Sequence, residues 1–214
     1  MTVAKRTFDL AGAAAGVLVL APLFLVIALL VRAEDGGPAF FGQRRVGHRG
    51  RPFRMWKFRT MVRDAESRGL PLTVERDPRV TRVGAWLRRL KLDELPQLFN
   101  VLVGDMTFVG PRPELARYVA LYGAAERQVL ELVPGITDEA SIRYADEDAL
   151  LAKAADPERF YVDQIIQEKI RINLAYAARA TFWTDVGVIL ATLRHLFWPR
   201  DPADASLALK STTR

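Results

Sequence analysis

Cysteine is absent from the 214-residue sequence, and histidine occurs only as His48 and His195. The absence of cysteine excludes disulfides, thiol nucleophiles and thiolate metal ligands. Two histidines argue against a multi-histidine zinc site and against a Ser-His-Asp triad, and none of the four serines lies in a G-x-S-x-G motif. By elimination, a carboxylate is the leading candidate for a covalent nucleophile.

The sequence also lacks the usual nucleotide-binding motifs, although it is basic. The formal net charge is +6, which favours partners that carry phosphate: a nucleic acid, an anionic lipid or a phosphorylated substrate. Neither a Walker A motif nor a G-x-G-x-x-G motif is present. No nucleic-acid recognition motif occurs either, and this disfavours the alternative of a membrane-tethered nucleic-acid-binding protein.

One long stretch, residues 10–31, contains no charge and matches the roughly 20 residues that a membrane helix requires. It is longer than the apolar core of a secretory signal, about 7–15 residues, so a signal is the weaker interpretation. Pro22 removes a backbone hydrogen bond in the middle of the segment and bends a helix. Basic residues flank both ends, and such flanks favour the cytoplasmic side. These features allow either a re-entrant helix that bends at Pro22 or an ordinary bent transmembrane helix.

Short strands and then helices are predicted after this segment. The runs PAFFGQRRVG and PFRMWKFRTM surround a Gly/Pro turn and predict a β-hairpin. Residues 80–92 combine helical apolar spacing with a basic face, which predicts an amphipathic helix at the membrane interface; an ordinary solvated helix is the alternative. A second helix is predicted to begin near residues 93–96 and to end at Gly104.

The remainder predicts a rigid loop, helices and one irregular segment. TFVGPRPE is predicted to be a stiff loop because it contains two prolines. Residues 114–133 are predicted to be helical, either continuously or with a break at Gly123, and residues 138–156 to be acidic and irregular. Asp156 and Pro157 have the pattern of an N-cap followed by a first-turn proline, so helical structure is predicted from there to residue 197.

The segment LKLDELPQ places two acids, Asp93 and Glu94, between a basic run and a proline. Acids in a first helical turn interact favourably with the helix dipole, so capping is the simplest interpretation. The stiff loop around Arg112 suits a bidentate contact with phosphate. Further phosphate-binding candidates, each of which could also be ordinary surface charge, are Lys57, Arg59 and Arg88. A divalent metal with oxygen ligands could bridge the acidic pair and a pyrophosphate.

Three segments, FFGQRRVGHRGRPFRMWKFRTM, LRRLKLDELPQLFNVLVGDMTFVGPRPE and LVPGIT, resemble the bacterial sugar transferase family, the monotopic polyprenyl-phosphate phosphoglycosyl transferases. The resemblance covers residues 5–196 and is to the small, catalytic-core form. It implies transfer of a sugar-1-phosphate from a nucleotide-diphosphate sugar, usually a UDP-sugar, to a membrane polyprenol phosphate, with release of UMP. It also implies a nucleophilic Asp93 that forms an aspartyl-phosphosugar intermediate, an assisting Glu94 with Mg²⁺, and re-entrance at Pro22.

The resemblance and the residue patterns together predict the organisation of the chain. The fold class is α+β and mostly helical, with a re-entrant membrane helix over residues 1–36, a catalytic domain over 37–198 and a disordered tail over 199–214. The catalytic domain is placed on the cytoplasmic face of the bacterial inner membrane. A helix N-terminus and nearby arginines are expected to lower the pKa of Asp93, so that it is ionised for attack.

The expected partners are a nucleotide sugar, polyprenol phosphate and anionic membrane lipid, with no nucleic acid. The small-residue pattern from Gly12 to Gly16 could seat a helix of a second copy in a homodimer or pack within the same chain. Arg143 is a further candidate for a substrate contact, because the residues after PGIT differ from the GWAQVNGR of many family members. A structural membrane anchor is the remaining alternative, and the sequence leaves the sugar undetermined.

Overall fold

The computed structural model describes residues 2–68 and 77–197, so the predicted disordered tail lies outside the described residues. Within them the protein is mostly helical and has two small sheets, which confirms the predicted α+β class. In chain order the elements are α1 (Val3–Asp35), β1 (Phe40–Val46), β2 (Pro52–Phe58), α2 (Arg82–Arg89), α3 (Gln97–Val103), β3 (Thr107–Val109), α4 (Ala116–Val119), β4 (Gly135–Thr137), α5 (Glu139–Arg143), α6 (Glu147–Ala152), α7 (Pro157–Phe160), α8 (Gln167–Ala177) and α9 (Phe182–Phe197).

Helix α1 contains the whole uncharged segment, and among the described residues it is the helix long and apolar enough to cross a membrane. The Thr2 hydroxyl accepts from the Lys5 amide at its start, and Gly36 ends it in the left-handed conformation with φ of 70°. Pro22 lies within the helix. At 1.5 Å per residue, a helix of 33 residues is about 50 Å long.

One face of α1 packs on the rest of the protein, and the other face is exposed and apolar. Ala13, Phe24, Ile27 and Val31 are buried at helical spacing. The exposed leucines and valines of the opposite face are Leu18, Val19, Leu25, Val26, Leu29 and Leu30. A contiguous apolar surface of this kind is unusual in water and is typical of contact with lipid or another protein.

Polar contacts attach the N-terminal end of α1 to the following elements. The Lys5 ammonium donates to the Val109 carbonyl at 3.0 Å and to Asp185 of α9 at 2.5 Å. Arg6 donates to the carbonyls of Val101 and Leu102, which belong to the last turn of α3.

The C-terminal end of α1 is attached in the same manner. A Glu34 carboxylate oxygen accepts from the backbone amides of Arg82 and Val83, and therefore caps α2. The Asp35 carboxylate accepts hydrogen bonds from both guanidinium Nη atoms of Arg59, each at 2.5 Å. Both ends of the apolar helix are therefore held by the same folded body.

The predicted hairpin is confirmed: β1 and β2 pair antiparallel, with Phe41 opposite Lys57. The other edge of β2 is covered by α3, because the Asn100 amide accepts from the Trp56 N–H and donates to the Arg54 carbonyl. The helix predicted near residues 80–92 is also present as α2. The helix predicted to end at Gly104 is α3, and Gly104 has the expected left-handed φ of 94°.

The prediction that all of TFVGPRPE is a loop was wrong for its first residues. Thr107 to Val109 form β3, which pairs in parallel with β4. Gly135, the first residue of β4, packs closely against Gly110, which follows β3: a Cβ on Gly135 would lie 2.1 Å from the Gly110 amide nitrogen. Only glycine allows this approach.

The helix predicted over residues 114–133 is present only in part, and it is interrupted around Gly123, where a break was expected. The chain forms the short helix α4 and a 3₁₀ helix, Glu126–Glu131, because it folds back so that Tyr118 and Val129 enter the same core. The segment predicted to be irregular, 138–156, contains α5 and α6. The many charged residues of this segment suggested irregular structure, but Leu151 is buried in that core and holds α6 in place.

The C-terminal prediction is confirmed over the described residues. Asp156 accepts from the Arg159 amide and Pro157 opens α7. A π-helical segment, Tyr161–Ile166, joins α7 to α8, and π-helical turns often occur at functional sites. The residues of α8 and this segment pack on α5 and on the 3₁₀ helix, and the C-terminal core faces the hairpin across a cavity.

Candidate active site

The acidic pair lies in a tight turn between α2 and α3. Lys91 precedes the turn with a left-handed φ of 55°, and Leu92–Glu94 form one turn of 3₁₀ helix. Pro96 is the N-cap residue of α3. The reversal at Lys91 directs both acids toward β2 and the loop after β3.

Glu94 is held by two cations. Its carboxylate accepts from the Lys57 ammonium at 2.9 Å and from Arg112 Nη1 at 3.0 Å, and Arg112 Nη2 also donates to it. Burial would raise the pKa of Glu94, but Arg112 and Lys57 together lower it well below its usual value. Glu94 is therefore ionised and fixed in position.

Asp93 is only 6 % exposed, and no donor in the part of the chain that the structure describes hydrogen-bonds to its carboxylate. Burial raises the pKa of Asp93; the Lys57 charge opposes this rise and the Glu94 charge adds to it. The expectation of a lowered pKa was wrong, because loss of hydration outweighs the neighbouring cations. The carboxylate is nevertheless unpaired, which leaves its oxygens available for a reacting group.

Arg112 is positioned by the two short strands. The Gly110 amide donates to the Thr137 carbonyl and the Gly135 amide donates to the Pro111 carbonyl, so the start of the loop is tied to β4. The Glu94 carboxylate raises the pKa of Arg112, and Arg112 remains a cation at all relevant pH values. Two of its five N–H groups contact Glu94, which leaves three donors for a ligand.

A cavity of about 1250 Å³ opens beside the dyad, which exceeds the usual range for small-ligand pockets, about 300–1,000 Å³. One end is cationic and carries the dyad; residues lining it are Arg44, Lys57, Arg88, Arg89, Lys91, Asp93, Glu94 and Arg112. Another part of the lining comes from α8, the π-helical segment and the residues around α5, and it includes Tyr144, Tyr161, Lys169 and Asn173.

The other sequence-predicted site residues are placed differently from one another. Arg88 lines the cavity and donates through Nε to the Thr60 hydroxyl at 2.9 Å. Arg59 was expected on the same side of the strand as Lys57, but β2 ends at Phe58 and its guanidinium bonds to Asp35 and the Pro38 carbonyl. Arg143 pairs with Glu168 at 3.4 Å and does not line the cavity. Their roles in substrate binding stay predictions.

A buried network that was not predicted from the sequence supports the Arg112 loop. Arg45 donates to Glu114 at 3.1 Å and to the Pro113 carbonyl, and the Tyr161 hydroxyl donates to Glu114 at 2.5 Å. Glu114 directly follows Pro113 in the PRPE sequence, and a charged residue next to a stiff loop could have indicated that Glu114 has a buried partner. The network joins β1, the loop and the C-terminal core around one carboxylate.

The small-residue pattern of α1 packs within the chain in this structure. A Cβ at Gly12 would lie 2.8 Å from the Phe108 ring, and one at Gly16 would lie 3.2 Å from Leu98. Both glycines therefore allow close approach to β3 and α3. The predicted homodimer stays a prediction.

A metal ion at the dyad is compatible with the side chains present. Across residues 2–68 and 77–197, no cluster of three or more histidine, aspartate and glutamate side chains could hold a metal. Mg²⁺ does not need such a cluster, since one or two carboxylates plus substrate phosphates commonly bind it. The unpaired Asp93 carboxylate and Glu94 provide those two groups, and Mg²⁺ stays a prediction.

A buried carboxylate without a partner lies beside one that is bonded to two cations, next to a large cavity with cationic lining. Together with the exposed apolar helix, this arrangement is typical of a membrane-associated protein that binds phosphorylated ligands. A family model described as bacterial sugar transferase matches residues 1–199. The chain therefore belongs to this family, as its sequence motifs predicted.

Curated relatives agree with this assignment. The chain is 44% identical over 149 residues to the exopolysaccharide production protein ExoY of Rhizobium meliloti, covering 63% of this chain and 66% of the relative. It is 36% identical over 204 residues to the undecaprenyl-phosphate glucose phosphotransferase of Komagataeibacter xylinus, covering 92% of this chain and 36% of the relative. A UDP-N-acetylgalactosamine-undecaprenyl-phosphate N-acetylgalactosaminephosphotransferase of Aeromonas hydrophila is 36% identical, with 89% and 43% covered. The chain thus spans only about a third to two-thirds of these relatives.

Proposed function

We propose that this protein is a phosphoglycosyl transferase that moves a sugar-1-phosphate from a UDP-sugar to undecaprenyl phosphate and releases UMP. The reaction is the first membrane step of glycoconjugate assembly. The observation that carries the proposal is the division of the dyad: Asp93 is buried and unpaired, while Glu94 is held between Lys57 and Arg112. Relatives named as undecaprenyl-phosphate sugar phosphotransferases support this reaction class.

In the proposed first step, an Asp93 carboxylate oxygen attacks the phosphorus atom that carries the sugar. The new bond joins that oxygen to phosphorus, the bridging P–O bond breaks, and UMP leaves. Attack requires the ionised carboxylate, and the Lys57 ammonium favours this form. The three free donors of Arg112 and the Arg88 guanidinium stabilise the charge that develops on the phosphate oxygens.

In the second step, a phosphate oxygen of the lipid acceptor attacks the same phosphorus atom. The bond to Asp93 breaks, the carboxylate is regenerated, and a diphosphate-linked lipid sugar results. Because the donor product leaves before the acceptor reacts, one cationic site can serve both anionic substrates. The cavity, about 1250 Å³, is large enough for one substrate at a time with its polar groups at the dyad.

Asp93 and Glu94 would hold Mg²⁺ together with the substrate phosphates. When bound, the ion neutralises phosphate charge as a Lewis acid. The carboxylate set fits this ion, since Glu94 keeps a free lone pair on the oxygen that accepts only Arg112 Nη1.

The proposed location is the cytoplasmic face of the inner membrane, with α1 re-entrant at Pro22. The exposed leucines and valines of α1 supply an apolar surface for lipid. Attachment of both helix ends to the same folded body, through Lys5 and Asp35, supports a helix that does not continue to the opposite side. Exposed Trp86 and Leu90 extend the apolar surface to α2, beside basic residues that would attract anionic lipid.

The proposal is tested by incubating the purified protein with a UDP-sugar in the absence of acceptor. We expect up to one equivalent of UMP and a phosphosugar adduct on the peptide that contains Asp93, identified by mass spectrometry. Full turnover should show ping-pong kinetics. Asp93→Asn should lose both signals, whereas Asp163→Asn, at an exposed carboxylate outside the cavity, should keep both.

Other outcomes would change the mechanism or the function. An adduct on another residue would reassign the nucleophile. Strict dependence on both substrates, with no adduct, would favour direct transfer and leave Asp93 as a metal ligand or a base. If Asp93→Asn left the function in cells unchanged, the alternative of a structural membrane anchor would be supported.

A further inference from the structure

The part of the cavity lining formed by α8 and by the residues that follow β4 contains polar groups that the proposed chemistry does not use. Parallel strands β3 and β4 end at the same edge, so the loop with Arg112 and the segment that starts at Asp138 emerge together. Ligands commonly bind outside the carboxyl ends of parallel strands. Asp138 is 1 % exposed, lines the cavity and lies close enough to Arg112 to contribute to its raised pKa.

Asn173 of α8 is a buried residue of this lining whose side-chain amide has no hydrogen-bond partner among the described residues. The residue is 6 % exposed. Its amide atoms keep some accessible surface, and because the residue lines the cavity, a ligand bound there can reach them. A buried amide without partners is unfavourable, and a ligand that supplies both a donor and an acceptor would satisfy it.

Nearby groups restrict what that ligand can be. Asp138 accepts from the Ser141 amide at 2.9 Å and from its hydroxyl at 2.6 Å, so both oxygens are oriented and the Ser141 hydroxyl oxygen can still accept. Glu147 and Asp148 belong to the same part of the lining. Lys169 compensates the charge of Glu147, but no described cation bonds to Asp138 or Asp148. These carboxylates attract phosphate less than the cationic surroundings of the dyad do, so a bound substrate would place a neutral part here.

The nearest aromatic rings are not free to stack on a base. The Lys169 ammonium lies 5.8 Å from the Tyr144 ring centroid and 5.7 Å from that of Tyr161, and it forms an ion pair with Glu147. Lys169 is one helical turn before Asn173, so both face the cavity from α8. Amide, hydroxyl and carboxylate groups without an open aromatic face suit hydroxyl groups better than a nucleobase.

We propose that Asn173, with Ser141 and Asp138, forms a subsite that binds the hydroxyl groups of the donor sugar and contributes to the choice among sugars. This inference rests on the proposed function, since it assigns the sugar-binding part of the same cavity. The diphosphate at the dyad and the sugar against α8 then occupy adjoining parts of one site, since Asp138 lies near Arg112.

The test compares Asn173→Ala with Gln167→Ala, which removes an exposed amide from the same helix outside the cavity. Affinities for UDP and for UDP-glucose, UDP-galactose and their N-acetylhexosamine counterparts are measured with the full-length protein, followed by kcat/KM with undecaprenyl phosphate. For Asn173→Ala we expect about a tenfold loss of kcat/KM for the preferred sugar, the size of one neutral hydrogen bond, and a smaller difference among sugars. The affinity for UDP should stay unchanged, and Gln167→Ala should match the original protein in every assay.

An equal loss of affinity for UDP and for the UDP-sugars would overturn the inference and assign Asn173 to the uridine. An unchanged preference among sugars would overturn it as well. Binding also separates the inference from the proposed function: a protein that binds UDP-sugars but transfers nothing rejects the function, while the loss of sugar-dependent affinity in Asn173→Ala still supports the subsite. If the protein binds neither UDP nor any UDP-sugar, both are rejected.

Discussion

Adjacent acids in the sequence have opposite electrostatic surroundings in the folded protein. Glu94 accepts three hydrogen bonds from Lys57 and Arg112, and its pKa lies well below the usual value despite burial. Asp93 is buried without a hydrogen-bond donor, and its pKa is raised. Neighbouring carboxylates whose environments separate their pKa values are typical of groups with different chemical roles. Glu94 fits an orienting anion, and Asp93 fits the group that reacts.

Arg112→Lys should impair the enzyme while the fold remains intact. An ammonium cannot reproduce the two-pronged contact with Glu94 and still donate to a phosphate. We expect kcat/KM for the UDP-sugar to fall about tenfold to hundredfold, as for the loss of a charged hydrogen bond. Arg117→Lys, outside the cavity, is the matched control and should keep its activity. Normal kinetics for Arg112→Lys would contradict a phosphate-binding role.

Lys57→Met should shift the pH dependence of adduct formation upward. The Lys57 charge lowers the pKa of Asp93, so its removal raises that pKa further and keeps the nucleophile protonated to a higher pH. Single-turnover UMP release, measured across about pH 5 to 9, should therefore reach half its maximum at a higher pH than in the original protein. Lys153→Met, at an exposed lysine, should leave the profile unchanged. A downward shift, or no shift, would show that Lys57 does not control the ionisation of Asp93.

At the scale of single elements, α2 is held against the end of β2 by a backbone contact. Thr81 caps the helix through its hydroxyl, and its amide donates to the Thr60 carbonyl. Gly84 lies one turn later, and a Cβ there would be only 2.1 Å from the Thr60 carbonyl oxygen. This contact places Arg88, on the following turn, within reach of the cavity.

Gly84→Ala should destabilise the protein and lower its activity. The added methyl group forces α2 away from Thr60, and overpacking of this kind costs about 1–3 kcal/mol. Gly187→Ala is the control, because a Cβ at Gly187 meets no atom within 4 Å and removal of a helical glycine is neutral or stabilising by up to about 1 kcal/mol. Thermal unfolding in the same detergent measures both. Equal transition temperatures for the two variants would mean that α2 can move without cost.

At the scale of the whole molecule, α1 is attached to the following body at each end and exposes an apolar face between them. Buried polar contacts such as that of Asp9 with the Thr107 hydroxyl, 2.6 Å, add to this attachment. A simple membrane crossing would put one end on each side of the bilayer, whereas Lys5 and Asp35 both contact one folded body, and these contacts support the proposed re-entrant topology.

Cysteine labelling tests the proposed topology directly, because the protein has no cysteine of its own. Val3→Cys and Arg51→Cys are exposed positions near the helix start and on the hairpin. An impermeant thiol reagent should label neither in intact cells and both after permeabilisation, as expected when both lie on the cytoplasmic side. Opposite accessibility of the two cysteines in intact cells would establish a simple span instead.

Features that depend on local chemistry were predicted from the sequence. The long apolar helix, the hairpin, α2, the left-handed Gly104 and the Asp156–Pro157 helix start follow from hydrophobic periodicity, turn residues and caps within a few positions. Grouping of Lys57, Arg59, Arg88 and Arg112 around the acidic pair was predicted from strand alternation and the stiff loop. In the structure Lys57 and Arg112 contact Glu94, Arg88 lines the same cavity, and the Arg59 guanidinium bonds to Asp35. The parallel pairing of β3 with β4 was not predicted, because it joins segments nearly thirty positions apart through two glycines that local patterns do not connect.

Only the tertiary structure decided which charges pair and which side chains are left without a partner. Arg59 and Lys57 look equivalent in the sequence, yet one bonds to Asp35 and the other to Glu94. The raised pKa of Asp93 and the unpaired amide of Asn173 depend on burial, a property of every element packed around them. Hydration and Coulomb energies are set by distances through space, and residues far apart in the chain determine those distances.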